Sequence, residues 1–129
     1  PPERVFLWKR RGEPASVTVA AIPGSETAEW AEAVDRDGSY GNEITVRSLD
    51  LLRGYEPIAF IERIAPTPLL MIVADQDTQT RVDWQREAFE LAGEPKKLLT
   101  LSGRHYDPYT LLLEPSRQAA MDWFVQHLQ

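Results

Sequence analysis

The chain has no cysteine and only two histidines among its 129 residues. Without thiols there can be no disulfides, thiolate nucleophiles or cysteine zinc sites, and a reducing, cytoplasmic setting is in keeping with that lack. No uncharged apolar run approaches the roughly 20 residues that a membrane-spanning helix needs. Basic charge is also scarce: 14 Lys and Arg stand against 20 Asp and Glu, for a formal charge of -6. Only Lys9-Arg10-Arg11 and Lys96-Lys97 cluster. Two or three adjacent cations make a solvated turn, whereas a nucleic-acid surface needs a concentrated basic patch. Neither a nucleic-acid partner nor a membrane span is therefore expected. Internal repeats, low-complexity tracts and interdomain linkers are missing too, as is any pattern that would hold a cofactor or a metal ion. No signal peptide is legible, and because the chain opens with Pro1-Pro2, not Met, the native amino terminus is expected to lie elsewhere.

What is present suits an α/β domain. With 43% hydrophobic residues the chain can bury a core. Residues 1–41 are irregular and read as a cap or lid segment. Within them, Arg4-Val-Phe-Leu-Trp8 and Ser16-Val-Thr-Val-Ala-Ala21 are strand-like by their β-branched and aromatic content. With Gly12-Glu-Pro14 as the turn they form a small hairpin; the alternative for residues 4–11 is the end of a helix begun upstream. Residues 27–34 are rich in Ala and Glu and helix-like, and residues 35–41 break that helix.

Residues 42–129 carry sharper signals. Asn42 can cap a helix whose Ile44, Leu49, Leu51 and Leu52 face the core, closing near Gly54 before Pro57. A short helical turn over 57–64 follows. Pro66-Thr-Pro68 stiffens the approach to Leu69-Leu-Met-Ile-Val-Ala74, a continuous apolar run expected of a central parallel strand covered on both faces. A helix beginning at Thr80 or Asp83 runs to Leu91 and Ala92, where Gly93 and Pro95 stop it, and Lys97 to Leu101 supply the next strand. These elements make a β-α-β unit. The last helix, over 115–128, has Ala119, Ala120, Trp123, Phe124 and Leu128 as an apolar stripe that reads as core.

Both strands end in polar turns. Asp77 lies three residues past the first, at the sheet edge where α/β proteins present side chains to a ligand. It reads equally as a helix cap, and Asp75 is a rival for the acid. His105 follows the second strand after Ser102-Gly-Arg104, where an imidazole can move protons near neutral pH. A lone loop histidine is more often incidental, but its pairing with Asp77 reverses that weighting. His127 has no comparable partner and reads as a solvated helix-surface residue. Tyr106, Asp107, Pro108 and Tyr109 flank His105 and read first as turn-formers.

Four stretches together resemble the carboxy-terminal part of α/β-hydrolases: Ile64-Ala-Pro-Thr-Pro-Leu-Leu-Met-Ile-Val-Ala-Asp-Gln-Asp-Thr78, Leu91-Ala-Gly-Glu-Pro-Lys-Lys97, Ser102-Gly-Arg-His-Tyr-Asp-Pro-Tyr109 and Asp122-Trp-Phe124. The dienelactone-hydrolase-like and fungal polyketide-transferase-like proteins are the most similar group. That resemblance implies a partial α/β-hydrolase fold in which Asp77 is the triad acid and His105 the triad base. It also implies a small-molecule acyl substrate: an ester, lactone or thioester, hydrolysed or passed to another acceptor. Trp8, Trp30 and Tyr40 of the cap are then candidate pocket walls.

The family's nucleophile sits on a Gly-x-Ser-x-Gly elbow upstream of the acid, and no such elbow occurs here. Ser39, in Asp37-Gly-Ser-Tyr-Gly41, reads as a turn, and Ser102 lies too close to His105 for both to address one carbonyl. The expectation is a carboxy-terminal hydrolase half that is inert as a serine hydrolase by itself. Its partner is then the missing amino-terminal half or a second copy of the chain. Two alternatives stand beside it: a non-catalytic module that binds a partner or completes a split fold, and a serine-independent acid-base enzyme such as a cyclase or isomerase.

Overall fold

The computed structural model describes residues 2–8, 20–22 and 24–128. The cations at 9–11, the turn at 12–14 and the run 16–19 lie outside the described residues. The chain divides into two compact units, Pro1–Tyr55 and Glu56–Gln129.

In the first unit, β1 (Arg4–Trp8) is flanked by β2 (Ala20–Ile22) and β3 (Glu43–Thr45), giving a sheet of order β2-β1-β3. β1 and β2 run parallel, with Phe6 opposite Ala20 and Trp8 opposite Ile22. This overturns the hairpin, because a hairpin turn can join only antiparallel strands. The antiparallel partner of β1 is β3, with Val5 opposite Ile44. Helix α1 (Ser25–Val34) buries Thr27, Ala28 and Ala31, and Ala28 and Ala31 cluster with Trp8 as the core of this unit. Small residues on the buried side of α1 leave room for the indole.

Asn42 caps no helix. Its buried side chain lies against β1, where Oδ1 accepts from the Trp8 amide at 3.0 Å and Nδ2 donates to the Trp8 carbonyl at 2.9 Å. The cap of α2 (Val46–Arg53) is instead Thr45, whose hydroxyl accepts from the Ser48 amide at 3.1 Å. Leu51 and Leu52, expected to face a core, are exposed.

The second unit begins with a 3-10 segment, Pro57–Ile64, and continues as β4 (Leu69–Ala74), α3 (Val82–Leu91) and β5 (Lys96–Leu101). β4 and β5 pair in parallel over six positions, from Leu69 opposite Lys96 to Ala74 opposite Leu101, with α3 as the crossover between them. The sheet-forming run is therefore as expected. Among the described residues, however, β4 has one hydrogen-bonded neighbour, and only Val73 and Ala74 at its end are fully buried. A 3-10 turn, Asp107–Tyr109, leads to α4 (Leu113–His127). α4 buries Trp123 and Ser116 but leaves Phe124 and Leu128 exposed, so the expected stripe is core only in part. Apolar groups lie on more than one side of this helix, and one side is packed within the unit.

Asn42 generates the first prediction. Asn42→Ala leaves the Trp8 amide and carbonyl without their buried partners, a loss of about 1–3 kcal/mol. Urea unfolding followed by tryptophan fluorescence should show the lower midpoint; an unchanged midpoint would mean that these two bonds do not hold the strand.

Candidate active site

Two turns at the same end of β4 and β5 build the site. The ladder does not stop at Ala74 and Leu101: the Asp75 amide donates to the Leu101 carbonyl at 2.9 Å, and the Gln76 amide donates to the Gly103 carbonyl at 3.0 Å. The Gly103 amide returns to Asp75 Oδ1 at 3.2 Å. Asp75 is thus spent on tying the turns together. Asp77, two residues on, is the carboxylate that meets the imidazole, with Oδ2 2.8 Å from His105 Nδ1.

The Asp77 side chain is 6% exposed and that of His105 28%. Burial pushes the Asp77 carboxyl up, but the Thr80 amide, the His105 ring and the Gln79 amide outweigh it and hold the group below its usual value. Both amides reach Oδ1 at 2.8 Å. Asp77 therefore does cap the start of the following segment, as its sequence position allows, and it meets His105 with its other oxygen. Gln85 Nε2, from the first turns of α3, adds a weaker bond to Oδ2 at 3.3 Å.

An ionised carboxylate on Nδ1 fixes the imidazole tautomer and leaves Nε2 as the nitrogen that can take and return a proton. The His105 ring is held on another side by Tyr106, edge-on with centroids 4.6 Å apart. Asp107 builds the turn beneath: Oδ2 accepts from the Arg104 amide at 2.7 Å, and its carbonyl accepts from the Thr110 and Leu112 amides. A cavity of about 430 Å³ opens beside the pair, its walls including Ile72, Ala74, Tyr109, Leu113 and Ala120.

Three hydroxyls of the surrounding loops, those of Ser102, Thr110 and Ser116, are engaged elsewhere. Ser102 accepts from Gln76 Nε2 at 3.2 Å, Thr110 donates to the Tyr106 carbonyl at 3.0 Å, and Ser116 donates to the Leu112 carbonyl at 2.8 Å. In the other unit, Ser39 bonds Asp37 through both its amide and its hydroxyl, the turn its sequence suggested. Trp8 and Tyr40 stand 5.6 Å apart beside a separate cavity of about 300 Å³. Trp8 itself is core. His127 departs from its expected solvated state: the ring lies 4.0 Å from that of Trp123, and its Nε2 is buried without a hydrogen-bond partner. Among the described residues no cluster of potential ligands could hold a metal ion, and no helix is long and apolar enough to cross a membrane.

Gln85, the Gln79 and Thr80 amides and Tyr106 complete the surroundings of the pair. The sequence carries no motif for the glutamine, which comes within reach only when the segment after Asp77 folds back. Tyr106, adjacent to His105, was legible as a neighbour but not as a ring contact.

No family model matches the chain. Among curated proteins, it is 34% identical over 82 residues to a polyketide transferase of Gibberella fujikuroi, a match covering 62% of this chain and 26% of that protein. A polyketide transferase of Stachybotrys chlorohalonatus matches at 24% over 71 residues, covering 55% of this chain and 24% of that one. The chain thus spans about a quarter of the length of the curated relatives it matches. Among solved structures, the α/β-hydrolase GrgF from Penicillium sp. sh18 matches with a TM-score of 0.73 and 23% identity, over 98% of this chain and 42% of that one. The resemblance read from the sequence is borne out: the fold is that of part of an α/β-hydrolase.

Gly103 sits tightly against the turn that follows it. A Cβ there would lie 2.7 Å from Leu112 Cδ1 and 3.0 Å from Asp107 Oδ2, inside contact distance of the turn that carries His105. Gly103→Ala should lower stability by about 1–3 kcal/mol, read as a fall in Tm; a Tm equal to the parent's would show that the loop yields freely.

Proposed function

We propose that this chain is the acid- and histidine-bearing carboxy-terminal part of a serine α/β-hydrolase that acts on an ester, lactone or thioester, by hydrolysis or by acyl transfer. The observation that carries this reading is the 2.8 Å bond between Asp77 Oδ2 and His105 Nδ1 at adjacent parallel strand ends. In this role His105 Nε2 takes the proton of an attacking hydroxyl and later gives it to the leaving group. Asp77 stays ionised, orienting the ring and stabilising the imidazolium. Its lowered pKa suits that task, because a protonated acid would not stabilise the cation.

The nucleophile and the oxyanion donors come from outside this chain, since no Gly-x-Ser-x-Gly elbow occurs in it. Residues 1–41 serve as a cap segment. Transfer, as opposed to hydrolysis, draws support from the names of the two curated relatives.

A second reading, a non-catalytic module that completes a split fold, is favoured by one observation. Leu111, Leu113, Phe124, Val125 and Leu128 are exposed on and beside α4, and exposed apolar side chains grouped on one element suit an interaction face.

The test is kinetic. In the polypeptide that joins this chain to its nucleophile, Asp77→Asn should lower kcat by at least about a hundredfold, the scale of a positioned acid-base group. Turnover within a few-fold of the parent would remove the catalytic assignment and leave the module reading.

A further inference from the structure

The Asp77 carboxylate is held by more than the imidazole and two loop amides, and one of its partners comes from a different element. We infer that Gln85 is a positioning residue for the Asp77–His105 pair: its amide fixes the plane of the carboxylate so that Oδ2 faces His105 Nδ1. The inference rests on the reading of that pair as the proton-transfer couple.

Gln85 Nε2 carries two hydrogens, and the structure gives each an acceptor: Asp77 Oδ2 at 3.3 Å and the Thr80 carbonyl at 3.0 Å. The Thr80 amide in turn donates to Asp77 Oδ1 at 2.8 Å. One residue, Thr80, is thereby tied to both carboxylate oxygens, directly to Oδ1 and through Gln85 to Oδ2. Rotation of the carboxylate about its terminal torsion breaks this closed loop, so only one orientation satisfies every donor. Terminal carboxylate torsions are otherwise broad wells, and a triad acid needs one orientation held to within about 10–20°.

The residue type fits the role. Glutamate at 85 would set a second carboxylate against Asp77, and an aliphatic side chain would supply no donor. The backbone under Gln85 is helical, its amide bonded to the Arg81 carbonyl at 3.2 Å, so the side chain starts from an anchored position.

The experiment needs no turnover. In the full chain labelled with 15N-histidine, exchange of the His105 Nδ1 proton with water reports how well Asp77 holds the ring; the signal is assigned by its loss in His105→Gln. Gln85→Met keeps the length of the side chain and removes both donors. It should speed this exchange about tenfold, the scale of one hydrogen bond to a charged group, while α3 amides keep their protection. An exchange rate equal to the parent's overturns the inference. Equal loss of α3 protection overturns it as well, because Gln85 would then merely support the helix. Should Gln85→Met fail to fold, Gln85→Glu is read by the same two measurements. Asp77→Asn separates the two layers. If it leaves the exchange unchanged, the pairing of Asp77 with His105 itself fails; if it speeds exchange while the Gln85 variants do not, only the role of Gln85 fails.

Discussion

The in-register parallel pairing of β4 with β5 is the constraint on which the candidate site depends. Parallel strands end at the same edge of a sheet, so two turns far apart in sequence emerge side by side. The register then sets what they present. Ala74 stands opposite Leu101, and beyond that point the turns stay joined through Asp75, Gln76 and Gly103. A slip of one residue would send every side chain of one strand to the opposite face and part Asp77 from His105. The apolar run Leu69–Ala74 fixes the strand, and the backbone bonds past its end fix the turns.

Within that frame, three carboxylates of the two turns divide the work. Asp75 accepts a backbone amide across the turns, Asp107 accepts one within the His105 loop, and Asp77 meets the imidazole. The division follows from hydrogen bonding more than from charge. Each carboxylate is a strong acceptor placed where loop amides would otherwise lack partners. Asp77 differs in what its second oxygen meets: Oδ1 takes the two loop amides and Oδ2 takes His105 Nδ1. Its partners outweigh the cost of burial, so the group stays charged where charge is useful.

Much of this was legible in the sequence, and what was hidden has physical causes. The continuous apolar run of β4, the helix stopped by Gly93 and Pro95, and the strand after it were set by local pattern, and their order placed Asp77 and His105 at one sheet edge. The choice between Asp75 and Asp77 was not legible, because it depends on which way a two-residue turn points each side chain. The parallel pairing of β1 with β2 was hidden because strand-like composition carries no direction. Asn42 looked like a helix cap because Asn satisfies free amides; it does so here for Trp8 of a neighbouring strand, a contact with no local signature. His127 looked solvated from its helix-end position, yet Trp123, one turn earlier, covers its ring. Gln85 was invisible for the same reason as Asn42: its partner lies eight residues away across a turn.

The state of the hydroxyls bears on the proposed division of labour. An aspartate-backed histidine can move a proton, but bond-making to an acyl group needs a nucleophile whose oxygen is not already committed. Ser102, Thr110 and Ser116 surround the His105 loop, and each is engaged in a bond to the side chain of Gln76 or to a carbonyl of its own segment. Ser116 and Thr110 donate to carbonyls four residues back, the usual way a hydroxyl is absorbed into helix and turn structure. Recruiting either would release a carbonyl that has accepted it and disturb the loop that holds His105. The proposed reading has the nucleophile presented from another segment, across the cavity that Ile72, Ala74, Leu113 and Ala120 line. On the proposed reading, this chain supplies the Asp77–His105 pair whose geometry the β4–β5 register sets.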